Sequence, residues 1–385
     1  MFNKAKEILT KLVSFPVLGG ESNLELIKYI EGYLQEHGVE YQLLENKEEQ
    51  KASLHCRIGP AVDGGVIFSG HTDVVPVEGQ DWHSDPFTLT EKDDGKLYGR
   101  GSADMKGFIA CVLACLPYMQ KANLKKPVYF AFSYDEEVGC LAGPELADAF
   151  NTAYKEQPKY ALVGEPSLLQ PVVGHKGICV FKTTLNGSAG HSSGIRTEVS
   201  AIHEAMRLIL WLEQKMDNLI EAGHIDDRFV PPHTSIHSGI IEGGIAHNVI
   251  CDNCSFIWDV RVIPQDSVAE IKADFDAYCR ERESILRERF PGFEIKTELY
   301  HPDVPPLDTP ENLEIVDWIK SMSGRDDLTT VAYAAEAGQF SEAGFQTVIC
   351  GPGSIAQAHR ADEFIAVEQL EKGVAFIKKI IDDLS

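Results

Sequence analysis

Hydrophobic positions recur at helical spacing from the start of the chain. Phe2, Ala5, Ile8, Leu9, Leu12 and Val13 share one face of a helix over residues 2–14. A second helix is predicted over 23–37, with Leu24, Ile27, Ile30 and Leu34 on one side and Gly38 as its stop. Residues 39–44 and 53–58 read as strands, and the unbroken apolar run over 66–70 reads as a strand interior to a sheet. Residues 108–119 are apolar almost all round, which predicts a buried helix. A strand over 127–133, a helix over 142–150 and a strand over 160–164 follow. Strands alternating with helices, with polar residues at the strand ends, predict an α/β sheet that carries its chemistry along one edge.

The rhythm changes after Gly174-His175-Lys176-Gly177. Residues 178–185 alternate like a half-exposed strand, and 201–219 form an amphipathic helical pattern. Strands over 234–241 and 255–262, a helix over 268–286 and a strand over 293–300 complete the order β-α-β-β-α-β, that of a ferredoxin-like α+β module. The expected organisation is therefore a first domain over 1–177, an inserted domain over 178–300, and a return to the first domain over 301–385. The Pro-rich segment from His301 to Pro306 serves as the return linker. A helix over 311–322, a strand over 347–350 and a helix over 367–384 are predicted beyond it.

Charge and cysteine content narrow the setting. The balance of 35 Lys and Arg against 59 Asp and Glu gives a formal charge of −24, which argues against nucleic acid and anionic membranes as partners. No apolar run approaches the roughly 18 residues of a membrane span, and residues 1–10 lack the apolar stretch of a secretory leader. Nine cysteines, with Cys111, Cys115 and Cys350 inside apolar segments, predict reduced core thiols and a cytoplasmic location. Cys251 and Cys254 are spaced as a pair, without a second pair at zinc-finger spacing.

Candidate chemistry gathers at strand ends. Asp135-Glu136-Glu137 follows the strand over 127–133, and three carboxylates there repel one another unless a cation sits among them. In isolation such a run is an ordinary solvated loop. His71, Asp104, Glu165 and His359 also lie at strand ends or in adjoining loops. Imidazole and carboxylate donors together suit zinc or a similar divalent ion, and two such ions can share one carboxylate. Asp73, two residues beyond His71 on an extended segment, is placed to accept the other ring N–H of that imidazole. Singly, each residue has an ordinary explanation: a hydrogen-bonded strand-end histidine, a turn aspartate at Asp104, a helix-start acid at Glu165, a surface ion pair at His359.

Taken in order, the motifs Ser69-Gly70-His71-Thr72-Asp73, Gly99-Arg100-Gly101-Ser102-Ala103-Asp104-Met105-Lys106-Gly107, Asp135-Glu136-Glu137-Val138-Gly139, Gly164-Glu165-Pro166 and Ala358-His359 resemble the M20 family of metallopeptidases and deacylases. Within it they are similar to the acetylornithine deacetylase and succinyl-diaminopimelate desuccinylase group. Gly351-Pro352-Gly353-Ser354 with His359, and Glu336-Ala337, look more like the deacetylase branch. The resemblance implies a metallopeptidase-type catalytic domain with a mixed central sheet, plus an inserted ferredoxin-like dimerisation or lid domain. It implies one or two Zn2+ per subunit, with Co2+ an alternative. Asp104 would bridge the ions, His71 and Glu165 would hold one, and Glu137 and His359 the other. Glu136 would be the general base acting on a water between them. In the family the peptide after the bridging aspartate is cis, which is then expected at Asp104–Met105.

The implied reaction is deacetylation of N2-acetyl-L-ornithine to L-ornithine and acetate, in arginine biosynthesis. Desuccinylation of diaminopimelate, hydrolysis of another N-acyl amino acid or a dipeptide, and a catalytically silent binding protein are the alternatives. His191, in the inserted domain, would reach the partner subunit's site in a homodimer and stabilise the tetrahedral oxyanion. Lys176, Asn248, Arg261, Glu336 and Gly353 are the implied substrate-binding positions, with Lys176 as a carboxylate partner and Glu336 facing a distal amine.

Overall fold

The computed structural model describes residues 1–385 and divides them into two compact units. The first comprises Met1–Gly174, Leu307–Thr330 and Ala335–Ser385; the second comprises His175–Pro306 and Val331–Ala334. No helix is long and apolar enough to cross a membrane, and all nine cysteines are buried free thiols.

A mixed nine-stranded sheet forms the centre of the first unit. Its middle consists of four parallel strands, in the order Val128–Ser133, Val66–His71, Tyr160–Pro166 and Gln346–Gly351. Lys51–Ile58 pairs antiparallel with Val128–Ser133, and Tyr41–Asn46 pairs antiparallel with Lys51–Ile58. Both faces of the middle strands are covered. Val66, Phe68, Phe130 and Phe132 join one core with residues of the helices Phe2–Val13, Lys106–Lys121 and Val367–Asp383. On the opposite face Tyr129 meets the rings of Phe150 and Tyr154, and Phe150 meets Phe340 and Phe345. A strand buried on both sides cannot alternate polar and apolar residues, which is why 66–70 and 127–133 read as continuous runs.

Close packing reaches the strand that delivers Glu165. A Cβ on Gly164 would stand 2.1 Å from the ring of Phe108, so no larger residue fits there without moving the buried helix Lys106–Lys121. A small sheet of Thr90–Lys92, Lys96–Tyr98 and Phe364–Ala366 ties the segment after His359 to the segment before Asp104.

The second unit is a four-stranded antiparallel sheet in the order Ser235–Gly243, Asn253–Val262, Gly177–Asn186, Glu294–Val304. With the helices Ala201–Glu221 and Val268–Arg287 it follows the order β-α-β-β-α-β, and Phe181, Leu208, Phe256, Trp258 and Phe275 lie in its core.

Two expectations need correction here. The last strand does not stop at Tyr300 but continues to Val304, with register shifts after Leu299 and His301. It lies at the sheet edge, where Pro302 can be accommodated because an edge strand has a side whose N–H groups go unpaired. Much of the Pro-rich segment is therefore strand rather than linker. The short elements Val172–His175, Leu307–Asp308 and Ala337–Glu342 were not predicted, because so few residues cannot develop a period.

Candidate metal centre

The four parallel strands end on the same side, and the chemistry collects there, as the geometry of an open α/β sheet favours. His71 closes its strand, Glu136 and Glu137 follow Val128–Ser133, Glu165 lies in Tyr160–Pro166, and His359 follows Gln346–Gly351. Asp104 immediately precedes the helix Lys106–Lys121, and the Asp104–Met105 peptide is cis.

Two groups of donors form around one carboxylate. His71, Asp104 and Glu165 offer ligand atoms that all lie within 4.8 Å of one another, and so do Asp104, Glu137 and His359. Asp104 divides its oxygens between them: Oδ1 is 3.2 Å from His71 Nε2, and Oδ2 is 3.5 Å from His359 Nε2. Glu165 Oε1 is 3.8 Å from His71 Nε2, and Glu137 Oε2 is 3.0 Å from His359 Nε2. Glu136 belongs to neither group but directs Oε2 to within 4.0 Å of His71 Nε2.

The electrostatics say what this arrangement lacks. Burial, then the charges of neighbouring acids, push the Glu136 and Glu165 carboxyls well above their ordinary range, and Glu137 rises for the same reasons. Burial opposes charge on His71, yet the hydrogen bond with Asp104 and the nearby Asp73 carboxylate raise it well above 6.5. Hydrogen bonds to Asp104 and Glu137 lift His359 to about 10. Asp104 is lowered: burial works against its charge, but His359 and His71 prevail. The chain's own charges thus leave the cluster holding protons where a divalent cation would serve. Two imidazole nitrogens and several carboxylate oxygens converge there, buried except at exposed His359, and fit such ions.

The surrounding contacts hold the donors. Glu363 accepts hydrogen bonds from the backbone N–H groups of Gly101 (3.0 Å), Ala103 (2.9 Å) and Asp104 (3.1 Å), and from Arg100 Nη1 (2.8 Å). Arg100 also donates to Gln80, whose side chain donates to the His359 carbonyl at 3.0 Å. Asp135 has a left-handed φ of 57° in the acidic turn; its carboxylate accepts from Gly20 N (2.9 Å) and from the buried Lys51 Nζ (2.5 Å). Sequence reasoning missed Glu363 and Lys51. The signal for Glu363 was indirect: Arg100 sits amid glycines in an apolar setting and needs a buried anion.

One expected contact changes, and two expected substrate positions prove to be buried. The second ring nitrogen of His71 bonds at 2.9 Å to the backbone carbonyl of Asp73, whereas the Asp73 carboxylate is 3.6 Å away. That carboxylate instead accepts the backbone N–H groups of Glu136 (3.2 Å) and Glu137 (3.0 Å), so it shapes the acidic turn. Glu336 is 1% exposed, and its Oε1 meets no hydrogen-bond partner. Burial pushes this carboxyl up to about 7. Lys176 is likewise buried and donates to the His233 carbonyl at 2.6 Å.

The remaining expected residues are placed as follows. Gly353, in the first unit, has a φ of 90°, which favours glycine, and its N–H donates to Gln369 Oε1 at 3.2 Å. In the second unit, Asn248 is exposed, and Arg261 lies 3.4 Å from Asp259. His191 is exposed, and its Nδ1 accepts the Ser193 backbone N–H at 3.2 Å. The same nitrogen lies 2.8 Å from Ser193 Oγ, so Ser193 engages the Nδ1 side of the ring.

Known proteins resemble the chain over nearly its full length. The sequence is 35% identical over 386 residues to an acetylornithine deacetylase of Shigella sonnei (strain Ss046), covering 97% of this chain and 96% of that protein. It is 34% identical over 384 residues to an acetylornithine deacetylase of Proteus mirabilis (strain HI4320), covering 98% and 96%. The fold is similar to that of an M20 family metallo-carboxypeptidase, Sso-CP2 from Sulfolobus solfataricus, with a TM-score of 0.76 at 18% identity over 98% of each chain. Peptidase family M20/M25/M40 matches residues 67–383. On that match the chain belongs to peptidase family M20/M25/M40 and is a metal-dependent hydrolase.

Proposed function

We propose that the chain hydrolyses the amide of N2-acetyl-L-ornithine to L-ornithine and acetate, in the cytoplasm, as a step of arginine biosynthesis. The observation that carries this reading is the near-full-length likeness to two acetylornithine deacetylases, at 35% and 34% identity. The donor set supports the chemistry. His71, Asp104 and Glu165 would hold one ion, and Asp104, Glu137 and His359 a second, with zinc suited to the mixed donors and cobalt able to replace it. When bound, the ions supply Lewis acidity toward the amide carbonyl and make water acidic enough to attack near neutral pH.

The chain's own groups do the rest. Glu136 takes a proton from the attacking water as its oxygen bonds to the carbonyl carbon. It passes that proton to the leaving nitrogen as the C–N bond breaks. Asp73 holds the backbone of Glu136 and Glu137, and so sets the turn from which both carboxylates extend. His191, engaged by Ser193 at Nδ1, would donate a hydrogen bond from Nε2 to the oxyanion, and it would serve the partner's site in a homodimer. Dimerisation through the second unit is supported by its exposed edge strand Ser235–Gly243. That strand shows Ile240 and Ile241 to solvent, and Met206 and Leu210 are exposed on the helix Ala201–Glu221. Exposed Asn248 and Arg261 are the polar groups of this unit suited to a substrate carboxylate, and Gly353 would line the acyl side.

The test is hydrolysis of a panel of N-acylated amino acids by zinc-reconstituted protein. N2-acetyl-L-ornithine is expected to be the best substrate; faster turnover of N-succinyl-diaminopimelate or a dipeptide overturns the assignment. His191→Ala is expected to lose most of kcat while keeping its metal, and mixing it with Glu136→Ala subunits to restore some activity. Failure of mixing, with both variants dimeric, overturns the shared site.

A further inference from the structure

We propose that Cys140 is a positioning residue whose thiol holds the Glu136 carboxylate. The inference rests on the reading of Glu136 as the proton-transferring group. Cys140 Sγ lies 3.4 Å from Glu136 Oε1, and it is the one hydrogen-bond donor that reaches this side chain. The other oxygen, Oε2, is the one that approaches His71. The thiol therefore distinguishes the two oxygens and sets the rotation of the carboxylate about its last bond.

The thiol is itself held in place. The Cys140 backbone N–H donates to the Glu136 carbonyl at 2.9 Å, closing the turn on the same residue that the side chain touches. Its φ is 52°, in the left-handed region, and its carbonyl accepts Gln339 Nε2 at 3.0 Å. The side chain is 4% exposed, and burial followed by the charges of Glu136 and Glu336 raises the thiol well above 9.0. It stays S–H, a donor, at any pH at which a hydrolase works. A buried carboxylate with no donor would be free to rotate, and each misplaced rotamer is an unproductive one.

Alanine and serine make equal demands on a left-handed backbone, so the difference between Cys140→Ala and Cys140→Ser reports the donor. With N2-acetyl-L-ornithine as the probe, Cys140→Ala is expected to lower kcat about tenfold, the low end for a hydrogen bond to a charged group, with KM and bound zinc unchanged. Cys140→Ser is expected to recover most of that loss. A spectroscopic measurement needs no turnover: the S–H stretching band absent from Cys140→Ser should move to higher frequency in Glu136→Ala. Normal kcat in Cys140→Ala, equal losses in the Ala and Ser variants, or a band indifferent to Glu136→Ala each overturn the inference. Where Cys140→Ala does not fold, the infrared comparison decides alone. Turnover retained in Glu136→Gln would instead bring down the general-base reading, whatever the thiol does.

Discussion

Asp135 and Glu136 are neighbours in sequence, both largely buried, and they are treated in opposite ways. Asp135 receives Lys51 Nζ at 2.5 Å and the Gly20 N–H at 2.9 Å. Glu136 receives one weak thiol donor, and burial followed by the charges of neighbouring acids raises its carboxyl well above its ordinary range. The same division separates Glu363 from Glu165. Burial also pushes Glu363 up, but Arg100 and three backbone N–H groups surround it. Glu165 has neighbouring acids and His71. Where the fold supplies its own cation, a buried acid is architecture. Where it supplies only more acids and imidazole, the missing positive charge must come from outside the chain.

This division can be broken by substitution. Glu136→Gln should reduce kcat by about 10²–10⁴-fold, the range for a lost general acid–base group, and leave bound zinc intact by elemental analysis. A loss of zinc equal to the loss of rate would place Glu136 among the ligands instead. Lys51→Met strands the Asp135 carboxylate and should cost about 3–5 kcal/mol in urea unfolding. Glu165→Gln removes a like charge, and in metal-free protein it should leave stability unchanged or raise it by about 1 kcal/mol, while zinc binding weakens. If Glu165→Gln instead destabilises the metal-free protein as Lys51→Met does, the two classes of acid are one.

The smallest effect belongs to a buried base. Burial lowers His55 from 6.5 to about 4, so the folded chain keeps it neutral while the unfolded chain takes a proton below 6.5. Its contribution is full above 6.5 and is lost as pH falls toward 4. Thermal melts at pH 7 and 5 should therefore differ more for the unaltered chain than for His55→Asn.

The parts of this centre legible from sequence were those with a local pattern. Strand ends followed from apolar runs, and the five donors stood beside them in the ordered motifs of the M20 resemblance. The groups that organise the donors have no such pattern. Lys51 reaches Asp135 across 84 positions of sequence and Glu363 reaches Arg100 across 263, and nothing near either residue announces a partner. The burial of Glu336 and Lys176 was hidden for a related cause: each stands beside a functional motif, with no local sign of the packing around it. Asp73 was given the right neighbourhood and the wrong partner, since its backbone carbonyl and its carboxylate compete for one ring nitrogen.

Asp104's two oxygens face donors that leave the ribosome at very different times. His71, Asp104 and Glu165 are all synthesised before the second unit begins at His175. His359 and Glu363, which complete the other donor group and cradle the Asp104 loop, are made only after that unit is finished. A nascent or truncated chain ending near Pro306 therefore carries one donor group without its counterpart. Full metal capacity becomes a marker that synthesis has passed the insertion and the first unit has closed upon itself.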